Sequence, residues 1–589
     1  MNKDVTEPLI REIDYNSKSL ENVEKNLTVT GDNEDSKILF RYPTIYIVNE
    51  KNSTSKNKHP TFSIYVGETN DIKRRTAEHL QIDANNDPFW EKIKNSKDSK
   101  MFLIGHDHFN KSLTLDLENR LMHYISGIDS VTTLSNKRAN QQDEYYTSNE
   151  LNSIFEKIWT ELRHKKSEIF PPINVIQDSA IFKSSPFQKL TLEQFKAKDQ
   201  IISKIEEALN RDKSGQLILV TGEAGTGKTV LLSNLFYELF NLSATNSENV
   251  ILRGKTETML VNHDEQVKVY EQIAQKLGIY DKNNPDMVGK PTHFINTHKD
   301  PEHNKVDIVL VDEAHLLWTQ GKQSYRGENQ LDDLLQQAKV VVAVFDPHQI
   351  LTTVEYRSDS EIQKMILDAK SHDNLIELEN QMRIHGNEKT VKWIRDFIDK
   401  LKVTPIPQDK NFDLKIFENP TDLYNAIKLK SQNKENGLSR LLATFDWKYI
   451  NGKKDENKQL WKVTVGNFSK PWNLQLSAPS KVKKLPWAEQ PQSIDEVGST
   501  FTIQGFDLNY AGVIIGPSVK YRNGKIIFDK TASQNSKATQ KRNSKIDNSK
   551  EFLRNELNVL LTRGVNGLYI YAVDNELQNK LLEMQKGKK

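Results

Sequence analysis

The sequence predicts an α/β protein in which a small α+β domain precedes two larger lobes, each built on a parallel sheet. Three observations predict it. Gly222-Glu-Ala-Gly-Thr-Gly-Lys-Thr229 fits the GxxxxGK[ST] phosphate-binding pattern, with an apolar, β-branched run before it and an apolar helical segment after it. Val306-Asp-Ile-Val-Leu-Val-Asp-Glu-Ala-His315 and Lys339-Val-Val-Val-Ala-Val-Phe-Asp346 are continuous apolar runs that end in carboxylates, the texture of buried parallel strands. Far upstream, Thr44-Ile-Tyr-Ile-Val48 and Phe62-Ser-Ile-Tyr-Val66 flank a polar loop, which reads as an antiparallel hairpin.

Length and composition bound the function classes. A chain of 589 residues accommodates three or four domains at about 150 residues each. With no cysteine there are no disulfides, thiolate metal sites or cysteine nucleophiles, so any metal binds through oxygen or imidazole. A formal net charge of +2 leaves nucleic-acid binding to local clusters. No apolar run is long enough to span a bilayer, and the first residues lack the apolar core of a signal peptide, so a soluble, cytoplasmic protein without a membrane partner is expected.

In order along the chain, residues 1–40 are polar and charge-mixed and read as a leader. Residues 41–150 form the small domain. Its hairpin leads to Ile72-Lys-Arg-Arg-Thr-Ala-Glu-His-Leu80, a helix that places Arg75 and His79 four residues apart on one face. Leu115-Asp-Leu-Glu-Asn-Arg-Leu-Met-His-Tyr-Ile125 is a further helix carrying Glu118, and Asn136 follows in Leu134-Ser-Asn-Lys-Arg138. The pair His106 and His108 has no matched acidic cluster and reads as polar loop chemistry.

This ordered set resembles the GIY-YIG nuclease family. Tyr46 ends the first half-motif, where Thr44 stands in place of the usual glycine, and Tyr65-Val66-Gly67 forms the second. The resemblance implies a metal-dependent phosphodiester endonuclease. Glu118 would hold one Mg²⁺, with Mn²⁺ as a substitute, and Arg75 would stabilise charge on the pentavalent phosphate. Tyr46, Tyr65 or His79 would activate or position water, and Asn136, or alternatively Asn140, would be the late asparagine of the family.

Residues 151–190 contain one amphipathic helix and a Pro- and Ser-containing connector. The first lobe, 191–372, carries the phosphate loop. Gly222, Gly225 and Gly227 turn the backbone so that its N–H groups face phosphate oxygens, Lys228 reaches the β- and γ-phosphates, and Thr229 holds Mg²⁺. The strand ending at residue 312 delivers Asp312 to order Mg²⁺ and Glu313 to polarise the attacking water of ATP hydrolysis.

Later segments resemble the superfamily 1 helicase motifs in their usual order. Asp346-Pro-His-Gln349 is similar to the GDxxQ motif, with Phe345 in place of its glycine, and Gln349 would sense the γ-phosphate. Leu378-Glu-Asn-Gln-Met-Arg383 is similar to the next motif, Ser499-Thr-Phe-Thr-Ile-Gln-Gly-Phe-Asp507 to motif V, and Asn558-Val-Leu-Leu-Thr-Arg-Gly564 to motif VI. The resemblance extends to the Schlafen group 3-like helicase branch, which in bacteria can be fused to a GIY-YIG domain. It implies two RecA-like lobes, the second over 373–589, with Arg383 and Arg563 reaching ATP across the cleft and Gln194 in the place of an adenine-reading glutamine. Trp447, Trp461, Trp472 and Trp487 are candidates for stacking on bases. Lys520 to Lys550 reads as a flexible basic insertion.

The expected function is an ATP-driven motor joined to a nuclease that acts on single- or double-stranded DNA, in defence against phage or other foreign DNA. Repair or recombination is the nearest alternative. RNA as substrate stays open, and so does an ATP-regulated sensor or clamp whose small domain only binds.

Overall fold

The computed structural model describes residues 6–29, 31, 33–52, 60–136, 145–177, 179–211, 213–279, 287–299, 305–322, 324–381, 383–433, 437–479, 482–483, 485–540 and 547–586. The chain divides into two compact units, residues 1–189 with 269–285, and residues 190–268 with 286–589.

The first unit is built on a five-stranded sheet of β1 (Leu9–Asp14), β2 (Thr44–Asn52), β3 (Thr61–Thr69), β4 (Lys100–Gly105) and β5 (Val131–Leu134), in the order β1-β4-β2-β3-β5. The expected hairpin is present: β2 and β3 run antiparallel with Val48 opposite Tyr65 and Tyr46 opposite Gly67. Its connecting residues 53–59 lie outside the described residues. Two boundaries move. The stretch read as a leader supplies β1, which pairs antiparallel with β4 from Leu9↔Gly105 to Asp14↔Lys100, and the helices Ser17–Val29 and Asn33–Phe40. The stretch read as a connector supplies the helix Leu151–Lys165, which buries Ile154, Phe155, Ile158, Trp159 and Leu162 in the same unit. Apolar spacing of three and four residues gives that helix one continuous buried stripe.

The second unit contains two parallel sheets. The first joins β6 (Gln216–Gly222), β7 (Glu257–Val261), β8 (Val288–Gly289), β9 (Val306–Asp312), β10 (Ala338–Phe345) and β11 (Leu375–Leu378), in the order β11-β6-β10-β9-β7-β8. β9 and β10 lie at the centre and are buried along almost their whole length, which is why their sequences are apolar without alternation. β11 pairs with β6, so this sheet extends past residue 372, the expected limit of the first lobe.

The second sheet joins β12 (Asp413–Ile416), β13 (Arg440–Ala443), β16 (Leu508–Ile515) and β19 (Gly564–Ala572), in the order β12-β19-β16-β13, all parallel. Two hairpins branch from it, β14 (Lys462–Val465) with β15 (Phe468–Pro471), and β17 (Val519–Arg522) with β18 (Lys525–Phe528). The second of these corrects the reading of a flexible basic insertion at its start, while residues 541–546 of that stretch lie outside the described residues. Ile526 and Phe528 are core residues there, Lys520 pairs with Asp529 at 2.7 Å and Arg522 with Asp574 at 2.8 Å. Three tryptophans proposed to stack on bases are also structural: Trp461 and Trp472 belong to one core and Trp487 to another, where its Nε1 donates to Glu496 at 2.8 Å.

Candidate nucleotide site and the tyrosine cluster

Strand register aligns the loops that carry the first site. Phe345 pairs with Thr221, Leu378 with Gly222, and Asp312 with Val261, so the carboxyl ends of β6, β9, β10 and β11 lie at one edge of the sheet. Ligands of open parallel sheets bind at that edge. From β6 the chain turns through Gly225 (φ +95°) and Gly227 (φ +74°) into the helix Lys228–Ser243. A side chain at Gly225 would collide with Arg383, since its Cβ would lie 2.6 Å from the Cβ of that residue. The loop is therefore lined closely by the segment that follows β11.

Lys228 is 8% exposed and curls back over the loop, its Nζ donating to the carbonyls of Gly222 at 2.6 Å and Glu223 at 2.8 Å. The same Nζ stands 3.5 Å from Asp346 Oδ2. Burial would raise the Asp346 carboxyl, but the Lys228 charge and the hydrogen bond from Gln349 hold it below the usual carboxylate range. Gln349 Nε2 donates to Asp346 Oδ2 at 2.7 Å, and Arg563 Nη2 donates to Gln349 Oε1 at 3.3 Å. Lys228, Asp346, Gln349 and Arg563 thus form one buried polar chain that begins in the phosphate loop and ends at the second sheet.

Arg563 leaves the helix Ser549–Leu561, is 1% exposed, and also donates to the carbonyls of Val559 at 2.9 Å and Phe506 at 3.4 Å. Burial and the neighbouring Arg383 push its guanidinium down to about 9. Arg383 pairs with Asp507 at 2.5 Å. Two residues absent from the expected set fix this arrangement: Asn555 Nδ2 donates to the carbonyl of Ile350 at 2.9 Å, and Asn558 Nδ2 to that of His348 at 3.0 Å. Asn558 opens the segment that resembles motif VI, while Asn555 is a helix residue whose partner lies far away in sequence.

Asp312, 1% exposed, accepts from the backbone N–H of Glu313 and from Gln266 Nε2, each at 2.9 Å. Glu313 adopts a left-handed conformation (φ +49°), which an L-residue holds only when its surroundings impose it. Its Oε2 lies 3.0 Å from Nε2 of His315, whose burial lowers the imidazole pKa and keeps it neutral. Gln504 Nε2 approaches both His315 Nε2 and the Gln349 carbonyl at 3.5 Å.

Thr229, partly buried, stands in the first turn of the helix that begins at Lys228. Gln194 sits behind the phosphate loop. It completes a capping box with Thr191, and its Nε2 donates to the carbonyls of Thr226 at 3.1 Å and Gly227 at 3.4 Å, bracing the phosphate loop from behind. Its amide is already committed to these partners.

These residues fit a Mg²⁺-nucleotide. The curled loop, a buried ammonium, two carboxylates and two arginines supply charges for a polyphosphate and its cation. When bound, Mg²⁺ supplies charge neutralisation for the phosphoryl group. Among the described residues no group of three or more His, Asp or Glu is arranged to hold a metal by itself.

The tyrosine cluster of the first unit is equally well ordered. Tyr46 and Tyr65 lie diagonally across the β2–β3 pair, 5.8 Å apart between rings. Gly67 makes room for both: a Cβ there would stand 2.5 Å from the Tyr46 ring and 2.6 Å from that of Tyr65. The helix Ile72–Gln81, capped by Asp71, brings Arg75 and His79 over them. Tyr65 packs on the rings of Tyr46 and His79; burial raises its hydroxyl pKa, and the Arg75 charge offsets part of that rise. His79 Nε2 lies 2.8 Å from the Tyr46 hydroxyl and its Nδ1 lies 2.6 Å from Asp83 Oδ2, while the ring stacks on Trp90 at 3.7 Å. A carboxylate only accepts, so Asp83 places the proton on Nδ1 and leaves Nε2 to accept from Tyr46. Asp83 and Trp90 were not read from the sequence, because neither belongs to a contiguous motif.

Glu118, on the helix Lys111–Ser126, accepts from Asn136 Nδ2 at 3.1 Å, and Asn136 also donates to the Val66 carbonyl at 2.7 Å. Burial, with the charge of Glu68, pushes the Glu118 carboxyl up to about 8. One carboxylate can hold a hard cation whose other positions are water, so Glu118 fits a single Mg²⁺ or Mn²⁺ once deprotonated. Asn140, the alternative to Asn136, lies outside the described residues. His108 Nδ1 pairs with Glu150 at 2.6 Å in the loop after β4, consistent with polar loop chemistry.

Residues 215–574 match the family described as Schlafen group 3, DNA/RNA helicase domain. A protein of Saccharomyces cerevisiae, described as uncharacterized, is 35% identical over 436 residues, covering 67% of this chain and 91% of the yeast protein. The match covers β6 to β19, and with them the phosphate loop, both carboxylates and both arginines. The chain belongs to the Schlafen group 3 DNA/RNA helicase-domain family.

Proposed function

We propose that the protein is an ATP-driven nucleic-acid translocase that carries a metal-dependent nuclease of GIY-YIG type. The observation that supports the motor most directly is the buried chain Lys228, Asp346, Gln349 and Arg563, which connects the phosphate loop of one sheet to the last strand of the other. Lys228 neutralises the β- and γ-phosphates, Thr229 and Asp312 hold Mg²⁺, and Glu313 orients the attacking water. Arg383 and Arg563 stabilise charge on the transferred phosphoryl group. Loss of the γ-phosphate changes what Gln349 and Arg563 can contact, and the two sheets reorient.

The nuclease reading rests on Tyr46, Tyr65, Arg75 and His79 converging in one cluster, with Glu118 and Asn136 anchored to the edge of β3 at Val66. Arg75 stabilises the phosphorane charge, Glu118 holds the cation, and DNA is the proposed substrate. A sensor with a binding-only small domain is favoured by one observation: Tyr46 is fully buried. The cellular setting proposed is cytoplasmic removal of foreign nucleic acid. Phage need not be the target, since a relative occurs in a yeast.

Supercoiled plasmid incubated with Mg²⁺ and no nucleotide, ATP or a non-hydrolysable analogue tests both readings, with Glu118→Ala and Lys228→Ala in parallel. Nicking that disappears in Glu118→Ala and persists in Lys228→Ala is the expected outcome. No nicking by the unaltered protein on DNA or on an RNA duplex, together with intact ATP turnover, overturns the nuclease and leaves the sensor.

A further inference from the structure

Gln266 belongs to none of the helicase-like segments, yet it occupies the junction between them. It lies in the first turn of the helix Asp264–Lys276, directly after β7, and is 3% exposed. Its Nε2 donates to Asp312 Oδ2 at 2.9 Å. Its Oε1 is buried and has no hydrogen-bond partner among the described residues. That oxygen faces Gly505, on which a Cβ would stand 2.4 Å away, and Gly505 holds a left-handed φ of +83°.

The loop that contains Gly505 meets the candidate nucleotide site at three residues. Gln504 approaches His315 and the Gln349 carbonyl, and Asp507 pairs with Arg383. A buried amide oxygen without a donor is costly, so it is retained where its position serves another contact. The amide of Gln266 is planar and rigid. One end is bound to Asp312, and the other fills the space a side chain at position 505 would need, so a shift of the loop changes what holds the amide in place.

We infer that Gln266 is a positioning residue which ties the orientation of the Asp312 carboxylate to the docking of the Gly505 loop. Asp312 then holds the orientation that faces a Mg²⁺-nucleotide only while the second sheet's loop is seated. Withdrawal of the loop releases the amide, and the carboxylate with it. The inference rests on the nucleotide reading of this site.

Gln266→Met keeps the shape of the side chain and removes both polar atoms. Two readouts test it in the full chain: affinity for a fluorescent ATP analogue with and without Mg²⁺, and amide hydrogen exchange of residues 504–507 in nucleotide-free protein. The Mg²⁺-dependent gain in affinity should fall about tenfold, the usual effect of losing a partner that orients a metal ligand. Affinity without Mg²⁺ should stay within about twofold, and exchange in the loop should accelerate several-fold. Gly505→Ala approaches the same contact from the other side and should reproduce both changes, and Gln266→Asn, a shorter amide, should lie between. Unchanged Mg²⁺ gain and unchanged loop exchange in a folded Gln266→Met protein overturn the role of Gln266. Absence of any Mg²⁺ gain in the unaltered protein overturns the nucleotide reading instead, and loop exchange then decides on Gln266 alone.

Discussion

The state of His79 is decided by neighbours on both of its nitrogens. Burial and the Arg75 charge push the imidazole down to about 4, so it is neutral at physiological pH, and Asp83 selects the tautomer that leaves Nε2 free to accept. In the proposed nuclease, a neutral acceptor against the Tyr46 hydroxyl lets that hydroxyl pass its proton to His79 while it takes one from the attacking water, so the buried oxygen stays protonated throughout. Asp83→Asn preserves size but can place the proton on the wrong nitrogen. Nicking should fall roughly a hundredfold or more, by analogy with other histidines whose orienting carboxylate is lost. Imidazole ¹⁵N shifts of His79 should report the tautomer change directly. If the tautomer changes and nicking does not, His79 does not act on a proton. Glu118 poses the opposite case, since its burial favours protonation and a bound cation must displace the proton.

At the scale of elements, a buried carboxylate pair clamps the second sheet to the helix Ser549–Leu561. Glu556 accepts from the Phe445 N–H and from Asn535 Nδ2, while Asp446, just after β13, accepts from the Ser518 N–H at 2.9 Å. Burial and Asp446 push Glu556 up to about 8, and burial pushes Asp446 up to about 6. Both pKa values lie above those of the unfolded chain, so the folded state retains protons that the unfolded state has shed. That stability is complete below the ordinary carboxylate range and is lost progressively as pH rises from that range to about 6 for Asp446 and about 8 for Glu556. Melting temperatures of the unaltered protein should therefore fall across that whole span. Glu556→Gln should flatten the fall by roughly 2 kcal/mol, whatever its effect on absolute stability. An unchanged pH slope would show that the pair is already neutral or solvated. This pair, like β1 and Asp83, was not legible in the sequence. What was legible packed its chemistry into adjacent residues: the phosphate loop, Asp312 with Glu313, Asp346 with Gln349. What was not legible depends on a partner distant in the chain, as Leu9 needs Gly105 and Gln266 needs Asp312. Trp472 and Trp487 show the converse error, because an aromatic among lysines has the same composition whether it faces a base or a core.

For the molecule as a whole, a net charge of +2 sets a constraint on any reading as a nucleic-acid motor. Overall attraction to a polyanion is weak, so binding must come from local cations and backbone donors that track phosphates along one path. Each neutralised phosphate releases counterions, giving a slope of about −0.7 in log affinity against log salt per contact on a single strand. A translocase engaging four to six phosphates should show a slope of roughly −3 to −4. The chain from Lys228 to Arg563 adds a second requirement. Lys228 serves Asp346 in that chain, so on the proposed reading a γ-phosphate competes with Asp346 for the ammonium, and the grip on a strand shifts with it. Single-strand affinity measured with no nucleotide, with a non-hydrolysable ATP analogue and with ADP should then differ by about tenfold between at least two states, the scale of a 1.4 kcal/mol coupling. Lys228→Ala should abolish the difference while retaining the salt slope. A steep slope with equal affinity in all three states would leave a passive binder, because a motor moves only if its grip depends on the nucleotide it holds.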